Sequence, residues 1–349
     1  MDHRRLLPAR SRGALAGGLL AATLLTGCST DSTAADAETP TSTTTSDAGA
    51  FPVTIEHAFG ETTIEEEPTR VVTLGWSDQD AVLSLGVVPV GATELTWGGN
   101  DAGSSDWFDA RIEEMGAEAP VRYDDADGAP VEEIAKLAPD LVLATSSGIT
   151  EKEYDRLSKI ADVVAYPDAP WTTPWQTSLH MVGEALGRSA LADEVETGTQ
   201  EEIDDAKAAY PQLEGASLVF AYLTTTDLST VGIYAPQDPR VSMMNDFGLV
   251  NAPVVDTAVG KGQFYGNVSA ERAADLESDV LLTYAEGADD LETYADDPLL
   301  GRIPAIARGH AYAEVDKQVG LAVTNPSPLS IPYVIEHFLP HVADAVDGD

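Results

Sequence analysis

The chain of 349 residues is longer than one ordinary hydrophobic core readily accommodates, so its length predicts two lobes. With 59 acidic against 19 basic residues, the formal net charge of −40 disfavours nucleic acid and anionic lipid as partners and is typical of a solvated extracellular surface. Cys28 is the only cysteine, which excludes an intrachain disulfide and a zinc site built on cysteine pairs.

The N-terminus carries the pattern of a secretory lipoprotein signal. Arginines within residues 4–12 precede an apolar run, 13–25, that is too short to span a bilayer. The run leads into LTGC, which resembles the bacterial lipobox and marks Cys28 for lipidation. We expect residues 1–28 to be the signal and lipobox, and residues 29–50, rich in Ser, Thr, Ala and Asp, to be a flexible tether. The alternative is a signal cut elsewhere beside a chance cysteine.

Residues 51–173 show the alternating strands and helices of an α/β lobe. Alternating apolar residues predict a hairpin at its start, Pro89 suggests a sheet edge, and Thr150 with Glu153 forms a capping box. The predicted strands cover 70–74, 87–90, 141–144 and 162–166, and the predicted helices cover 78–85, 131–137 and 150–160. This alternation indicates a parallel sheet with helices on its faces.

A helical connection is predicted over residues 174–212. A first helix, 174–186, leads into a long polar helix, 189–210, for which Ser189 is the expected N-cap and Pro211 the stop. At 1.5 Å per residue the long helix spans roughly 33 Å, about the width of a small domain. It contains no proline, so we expect it to resist bending and to allow only a small closure of the lobes.

The strand and helix rhythm returns over residues 213–349. The predicted strands cover 218–222, 231–234, 280–283 and 311–315, and the predicted helices cover 241–247, 270–276, 299–307 and 329–346. Segment 132–148 aligns with segment 271–287 at one constant offset, which indicates an internal repeat unless the similarity arose by chance. The predicted fold is therefore α/β, with two similar lobes joined by a single long helix and a ligand cleft between them.

Five segments, in order along the chain, resemble the iron-siderophore substrate-binding lipoproteins of ABC importers. They are FPVTIEHAFGETTIEEEPTRVVTLG, LGVVPVGATE, EEIAKLAPDLVLA, VSAERAADLESDVLL and SPLSIPYVIEHFLPHVADAV. The resemblance implies that the protein is not an enzyme, that it holds a ferric siderophore between its lobes, and that it delivers this ligand to a membrane permease. Iron would arrive inside its chelate, with no further cofactor or metal site. We expect a monomer, lipid-anchored on the extracellular face of the cell membrane.

Candidate ligand-binding residues combine the strand ends with this resemblance, since a ferric siderophore calls for aromatic faces and a few cations. In the first lobe they are Trp76, Ser77, Trp97 and Ser146, and in the second lobe Tyr222, Arg240, Lys261, Phe264 and Tyr265. Simpler roles stay open. Trp97 could belong to the lobe core, Trp171 and Trp175 could brace the long helix, and Arg240 could pair with Asp238 or Asp246.

Two acidic residues are candidates for docking on the permease, because the family uses one acid on each lobe. Glu271 falls at the matching place in the second lobe. In the first lobe the candidate is Asp80, where a glutamate is more usual. In a chain with 59 acids, a merely exposed acid is the simpler explanation for either residue.

Two other functions remain as alternatives. Haem or cobalamin could replace the siderophore, and haem would need an axial ligand such as Tyr222, Tyr265 or Tyr284. A secreted α/β hydrolase is the remaining class, although the chain has no G-x-S-x-G motif. Among siderophores, the few cations in the predicted cleft favour hydroxamate or mixed ligands over tris-catecholates.

Overall fold

The computed structural model describes residues 46–261 and 263–348, which fall in one compact unit of the chain. The predicted signal, the lipidation residue Cys28 and most of the predicted tether lie outside the described residues. Among the described helices, none is long and apolar enough to cross a membrane.

The first lobe is built on a parallel sheet of five strands in the order β5-β4-β3-β6-β7, beside a two-stranded hairpin β1-β2. The strands are β1 Val53–His57, β2 Gly60–Ile64, β3 Val71–Thr73, β4 Gly91–Thr93, β5 Val121–Tyr123, β6 Leu141–Ala144 and β7 Asp162–Ala165. The helices are α1 Asp78–Ser84, α2 Asp106–Met115, α3 Val131–Lys136 and α4 Glu151–Leu157. The predicted hairpin and the capping box of Thr150 and Glu153 are confirmed.

The prediction of a strand over 87–90 is wrong. This segment follows the turn that ends α1, where the Val87 amide donates to the Val82 carbonyl, and the strand begins at Gly91. Strand β4 lies between β5 and β3, so Pro89 does not mark a sheet edge. A Cβ atom at Gly91 would overlap the side chains of Leu137 and Tyr123, so the close packing around this strand leaves no room for a larger residue without a shift of these side chains.

The connection consists of helices α5 Trp175–Ala185 and α6 Ser189–Ala209, followed by a 3-10 helix, Pro211–Leu213. The expectation that Ser189 is the N-cap is wrong, because Ser189 is already helical and Arg188 takes the cap position without a side-chain hydrogen bond to the helix. Asp47 supplies the acceptor instead. Its Oδ2 accepts a hydrogen bond from the Ala190 amide at 3.1 Å, and its own amide donates to the Gly187 carbonyl at 2.7 Å.

The second lobe is built on a mixed sheet of six strands in the order β11-β9-β8-β12-β13, with β10 paired to β8. The strands are β8 Ser217–Thr224, β9 Asp227–Tyr234, β10 Val250–Asn251, β11 Tyr265–Ser269, β12 Val280–Tyr284 and β13 Ala311–Glu314. The α-helices are α7 Pro239–Asp246, α8 Pro253–Ala258, α9 Asp290–Asp296, α10 Pro304–Arg308, α11 Lys317–Thr324, α12 Ser330–His337 and α13 Leu339–Asp347. Two 3-10 helices cover Ala270–Asp275 and Leu300–Arg302.

Three predicted helices of this lobe differ in the structure. The segment 299–307 is divided into the 3-10 helix Leu300–Arg302 and α10, which begins at Pro304. The segment 270–276 is 3-10 rather than α-helical, and Ser269 caps it by accepting a hydrogen bond from the Glu271 amide. The segment 329–346 is divided into α12 and α13, which meet at Phe338. Pro340 lies in the first turn of α13 and has no amide hydrogen to continue the ladder of α12.

The predicted repeat has a structural counterpart at two aspartates, Asp140 and Asp279, which occupy matching positions before β6 and β12. Asp140 accepts hydrogen bonds from the Thr69 amide at 2.8 Å and the Thr69 hydroxyl at 2.7 Å, just before β3. Asp279 accepts the same pair from Ser217, at 2.8 and 2.6 Å, where β8 begins. Each aspartate therefore ties the start of its own strand, β6 or β12, to the neighbouring strand, β3 or β8, that comes first in the same sheet.

A single hydrophobic cluster extends through both lobes. It includes Leu143 in the first-lobe sheet, Leu179 in α5, Ile203 in α6, Phe220 in the second-lobe sheet and Val334 in α12. The lobes are therefore held together by packed side chains in addition to the continuous backbone of α6. The prediction of an α/β fold with two lobes is confirmed.

Candidate functional site

Two adjoining cavities, each of about 320 Å³, share Arg240 and Thr324 in their walls. The inter-lobe cavity is lined from both lobes, by Trp76, Ser77, Ser146, Trp171, Thr173, Asp238, Pro239, Arg240, Phe264, Thr324, Asn325 and Pro326. The second-lobe cavity is lined chiefly by residues at the carboxyl ends of β8, β12 and β13, among them Tyr222, Tyr284 and Glu314. Together they form one cleft, at the place where open α/β sheets bind their ligands.

The first-lobe wall of the cleft is positioned by Asp78, at the start of α1. One carboxylate oxygen of Asp78 accepts hydrogen bonds from the Thr145 amide at 2.8 Å and the Thr145 hydroxyl at 2.6 Å, and the other accepts from the Ser146 amide at 3.0 Å. Burial raises the pKa of Asp78 to about 6, although these hydrogen bonds lower it. Asp78 thereby fixes the loop after β6 against the loop after β3, which carries Trp76 and Ser77.

Arg240 is the central cation of the cleft. Its Nε donates to Asp238 Oδ1 at 2.7 Å, and its guanidinium carbon lies 3.8 Å from the centre of the Tyr234 ring. Of the two partners considered from the sequence, Asp238 and Asp246, Arg240 therefore pairs with Asp238. An arginine stays protonated at any physiological pH, so the guanidinium presents a fixed positive charge to both cavities.

Aromatic side chains cover much of the rest of the cleft. Tyr222 and Phe264 are each 48% exposed, Tyr222 in the wall of the second-lobe cavity and Phe264 in the wall of the inter-lobe cavity. Trp97 packs against Tyr284 with ring centres 5.6 Å apart. The Tyr284 hydroxyl is hydrogen-bonded to the Thr324 hydroxyl at 2.7 Å, which orients the Tyr284 ring in this wall.

Carboxylates lie beside the aromatic wall in the second-lobe cavity. Glu286, Asp290, Glu314 and Asp316 line it, and Glu286 pairs with the Lys317 ammonium at 2.8 Å. The cleft therefore offers a cation next to aromatic faces without being positively charged as a whole. Within residues 46–261 and 263–348, no group of three or more His, Cys, Asp or Glu side chains is placed to hold a metal ion.

The structure brings most of the predicted ligand residues together in this cleft. Trp76, Ser77, Ser146, Phe264 and Arg240 line the inter-lobe cavity, and Trp97, Tyr222 and Arg240 line the second-lobe cavity. Lys261 and Tyr265 line neither. Lys261 is exposed in a turn, and Tyr265 packs its ring on Tyr234, with ring centres 5.4 Å apart.

Several residues of the cleft were missed from the sequence. Trp171, expected to brace the long helix, is 48% exposed and lines the inter-lobe cavity, whereas Trp175 is buried in α5. Tyr234 ends strand β9, so the strand-end rule could have identified it as a site residue. Tyr284, considered above as an axial ligand for haem, ends β12 and lines the second-lobe cavity. Thr324 ends helix α11, and Asn325 and Pro326 follow it; the sequence pattern did not indicate this helix.

Two acids were predicted to dock on a permease. The prediction for Asp80 is wrong, because its side chain is buried. Asp80 is 2% exposed, and its Oδ2 accepts hydrogen bonds from Trp107 Nε1 at 2.8 Å and from the Ser327 hydroxyl at 2.7 Å. A carboxylate enclosed in this way has no free face for a partner. Glu271 is exposed, and so is Glu132, the residue that the internal repeat aligns with it.

Comparison with known proteins places this geometry in context. A family model described as "Periplasmic binding protein" matches residues 71–315. The crystal structure of PiaA from Streptococcus pneumoniae TIGR4 in complex with ferrichrome is 35% identical, with a TM-score of 0.80, over 85% of this chain and 99% of that chain.

Two curated relatives come from Bacillus subtilis. The probable siderophore-binding lipoprotein YfiY is 28% identical over 190 residues, which are 54% of this chain and 53% of that protein, so the match spans about half of its length. The Fe(3+)-citrate-binding protein YfmC is 26% identical over 72% of this chain and 75% of that protein.

Proposed function

The chain belongs to the periplasmic binding protein family, whose matched relatives are substrate-binding transport proteins rather than enzymes, and we propose that it captures a ferric siderophore for an ABC permease. The observation that carries the proposal is the cleft between the lobes. Arg240, fixed by Asp238 and Tyr234, faces cavities lined with indole and phenol rings. Such walls suit a large chelate that keeps its iron enclosed and is recognised by its outer surface.

The ligand we infer is a hydroxamate siderophore of low net charge. Arg240 and Lys317 are the cations that line the two cavities, and both already have carboxylate partners. A tris-catecholate of high negative charge would therefore meet more repulsion than attraction. The ferrichrome bound in PiaA, an uncharged trihydroxamate, supports the same class.

Delivery to the permease would use the exposed acids that the repeat relates. Glu271 lies in the first turn of the 3-10 helix before β12, and Glu132 lies in the first turn of α3 before β6. With Asp80 buried, Glu132 is the first-lobe residue best placed to act as the counterpart of Glu271. We further propose that Cys28 carries the lipid anchor, that the protein works as a monomer, and that it acts on the extracellular face of the cell membrane.

The test measures the binding of a panel of ligands through the fluorescence of the tryptophans. Trp76 and Trp171 line the inter-lobe cavity and Trp97 the second-lobe cavity, so an iron chelate bound there should quench the emission strongly. We expect saturable quenching by ferrichrome and weak or no quenching by ferric enterobactin or ferric citrate. Haem and cobalamin belong in the same panel. Binding of either of these in place of every siderophore would overturn the proposal.

A further inference from the structure

A third cavity of about 270 Å³ lies in the first lobe, behind the inter-lobe cavity. It opens at the carboxyl ends of the first-lobe strands, where Leu74, Asp125 and Ser147 follow β3, β5 and β6. Trp76 and Trp171 line both this first-lobe cavity and the inter-lobe cavity. The two indoles therefore form the wall between the cleft and this first-lobe cavity, which is not part of the cleft described above.

Trp171 is held at this wall by an unusual backbone. Its φ of 63° lies in the left-handed region that bulky side chains rarely adopt, and its amide donates to the Ser147 carbonyl at 3.2 Å. The indole lies against Gly148, where any Cβ atom would overlap it. Strain of this kind persists only where the surroundings enforce it, and it keeps a half-exposed indole at the mouth of the first-lobe cavity.

The walls of the first-lobe cavity carry negative charge, which favours a cation. Its walls include the carboxylates of Asp125 and Glu153, and the described residues that line it include no Lys or Arg. Glu153 uses both oxygens to accept hydrogen bonds, from the Ala129 amide and from Thr150. Asp125 accepts one, from the Thr93 hydroxyl at 3.2 Å. Two tryptophans and a carboxylate that line the same cavity are a favourable set of residues for an ammonium group.

We propose that the first-lobe cavity is an accessory subsite that takes a primary ammonium group carried on the tail of a hydroxamate siderophore. The iron-bearing core lies in the cleft at Arg240, and the tail passes Trp76 and Trp171 toward Asp125. This inference rests on the proposed function, because it names a part of the same ligand.

The probes are ferrioxamine B, a linear trihydroxamate that ends in an amine, and its N-acetylated form, which has the same iron core and a neutral tail. Dissociation constants for both are measured on the full-length protein at low and at high salt. We expect the amine form to bind about three- to tenfold more tightly, and this preference to shrink at high salt.

Three variants test whether Asp125 and the indole wall are responsible for the preference. Asp125→Asn is expected to abolish the preference for the amine while leaving ferrichrome affinity unchanged. Asp127→Asn is the matched control. It removes the same charge from a position two residues further along the chain, where the side chain is exposed and lines none of the three cavities. Trp171→Leu should also reduce the preference, since it removes one indole face, and unchanged circular dichroism would show that the fold is intact.

The outcomes separate the subsite from the proposed function. Equal affinity for the two forms of ferrioxamine B, or a preference that survives Asp125→Asn, overturns the subsite and leaves the siderophore function standing. Absence of binding by either form and by ferrichrome overturns both. A preference lost in Asp125→Asn and kept in Asp127→Asn supports the subsite.

Discussion

The Asp80 carboxylate accepts a hydrogen bond of 2.7 Å from the hydroxyl of Ser327, which lies 247 residues later in the chain. Asp80 belongs to α1 of the first lobe, and Ser327 lies in the loop between α11 and α12 of the second lobe, next to Asn325 and Pro326 in the wall of the cleft. This contact joins the lobes at a second place besides helix α6. Together with the shared hydrophobic core, it supports the expected small closure on ligand binding.

Removal of the Asp80 carboxylate should destabilise the protein rather than disturb docking alone. Asp80→Ala leaves Trp107 Nε1 and the Ser327 hydroxyl without their acceptor in a buried place, so we expect a loss of roughly 2–4 kcal/mol in the free energy of unfolding, measured by urea denaturation. Asp80→Asn keeps one acceptor oxygen and should cost less. An unchanged stability in Asp80→Ala, with uptake lost, would restore the docking role.

The pH dependence of stability should differ between the buried and the hydrogen-bonded aspartates. Burial raises the pKa of Asp80 from its usual 3.8 to about 6, so the folded state binds more protons and stability falls as pH rises from about 4 to 6, by at most about 3 kcal/mol. Hydrogen bonds from Ser217 lower the pKa of Asp279, so its contribution is present above pH 4 and is lost as pH falls.

Asp80→Asn should therefore make the fall in stability between pH 4 and 6 smaller without removing it, since burial also raises the pKa of Asp78 to about 6. Asp279→Asn should reduce stability at neutral pH and have little effect below the pKa of Asp279. Urea denaturation at a series of pH values measures both. A slope between pH 4 and 6 that is identical in the wild type and in Asp80→Asn would contradict the first assignment.

Substitution of Arg240 should weaken siderophore binding. Arg240→Gln removes the charge that faces both cavities, and we expect ferrichrome affinity to fall by roughly 10- to 100-fold, since a hydrogen bond to a charged group is worth about 1.5–3 kcal/mol. The single variant also leaves Asp238 buried without its partner. The double variant with Asp238→Asn restores charge balance, and a recovery of stability without recovery of affinity would show that Arg240 binds ligand directly.

Uptake of the siderophore should depend on Glu132 and Glu271 together. Each substitution to glutamine is expected to lower uptake by a few fold, and the pair by on the order of tenfold, because charge complementarity governs the encounter with a partner. Ligand affinity of the purified variants should not change. The neighbouring Glu133→Gln, also on an exposed side chain of α3, serves as the matched control. Normal uptake by the double variant would remove both residues from the docking surface.

Asp47 should contribute to stability although it lies in the segment predicted as tether. Asp47→Ala removes the acceptor that caps α6 at the Ala190 amide, which should cost about 0.5–2 kcal/mol in the free energy of unfolding. Asp47→Asn keeps an acceptor oxygen and should cost less. If both variants were as stable as the wild type, the hydrogen bond from the Ala190 amide to Asp47 would make no contribution to the free energy of unfolding.

The fold followed from the sequence where local periodicity carries the information. Strands β3, β6 and β12 are short buried apolar runs, and a run of this kind is visible in any window of the chain. The rule that ligands bind at the carboxyl ends of such strands then placed Trp76 and Ser146 on the cleft correctly. Strand β5 was not predicted, because its three residues, VRY, show no clear alternation of apolar and polar side chains.

The sequence by itself therefore determined the two lobes, the long helix between them and one face of the cleft, because each depends on residues close together in the chain. Only the tertiary structure decided that Asp80 is enclosed by Trp107 and Ser327, that Trp171 stands exposed, and that Asp47 caps α6. These facts depend on partners up to 247 residues apart. A polar residue in an acidic chain shows no local sign of whether it will meet water or a distant partner.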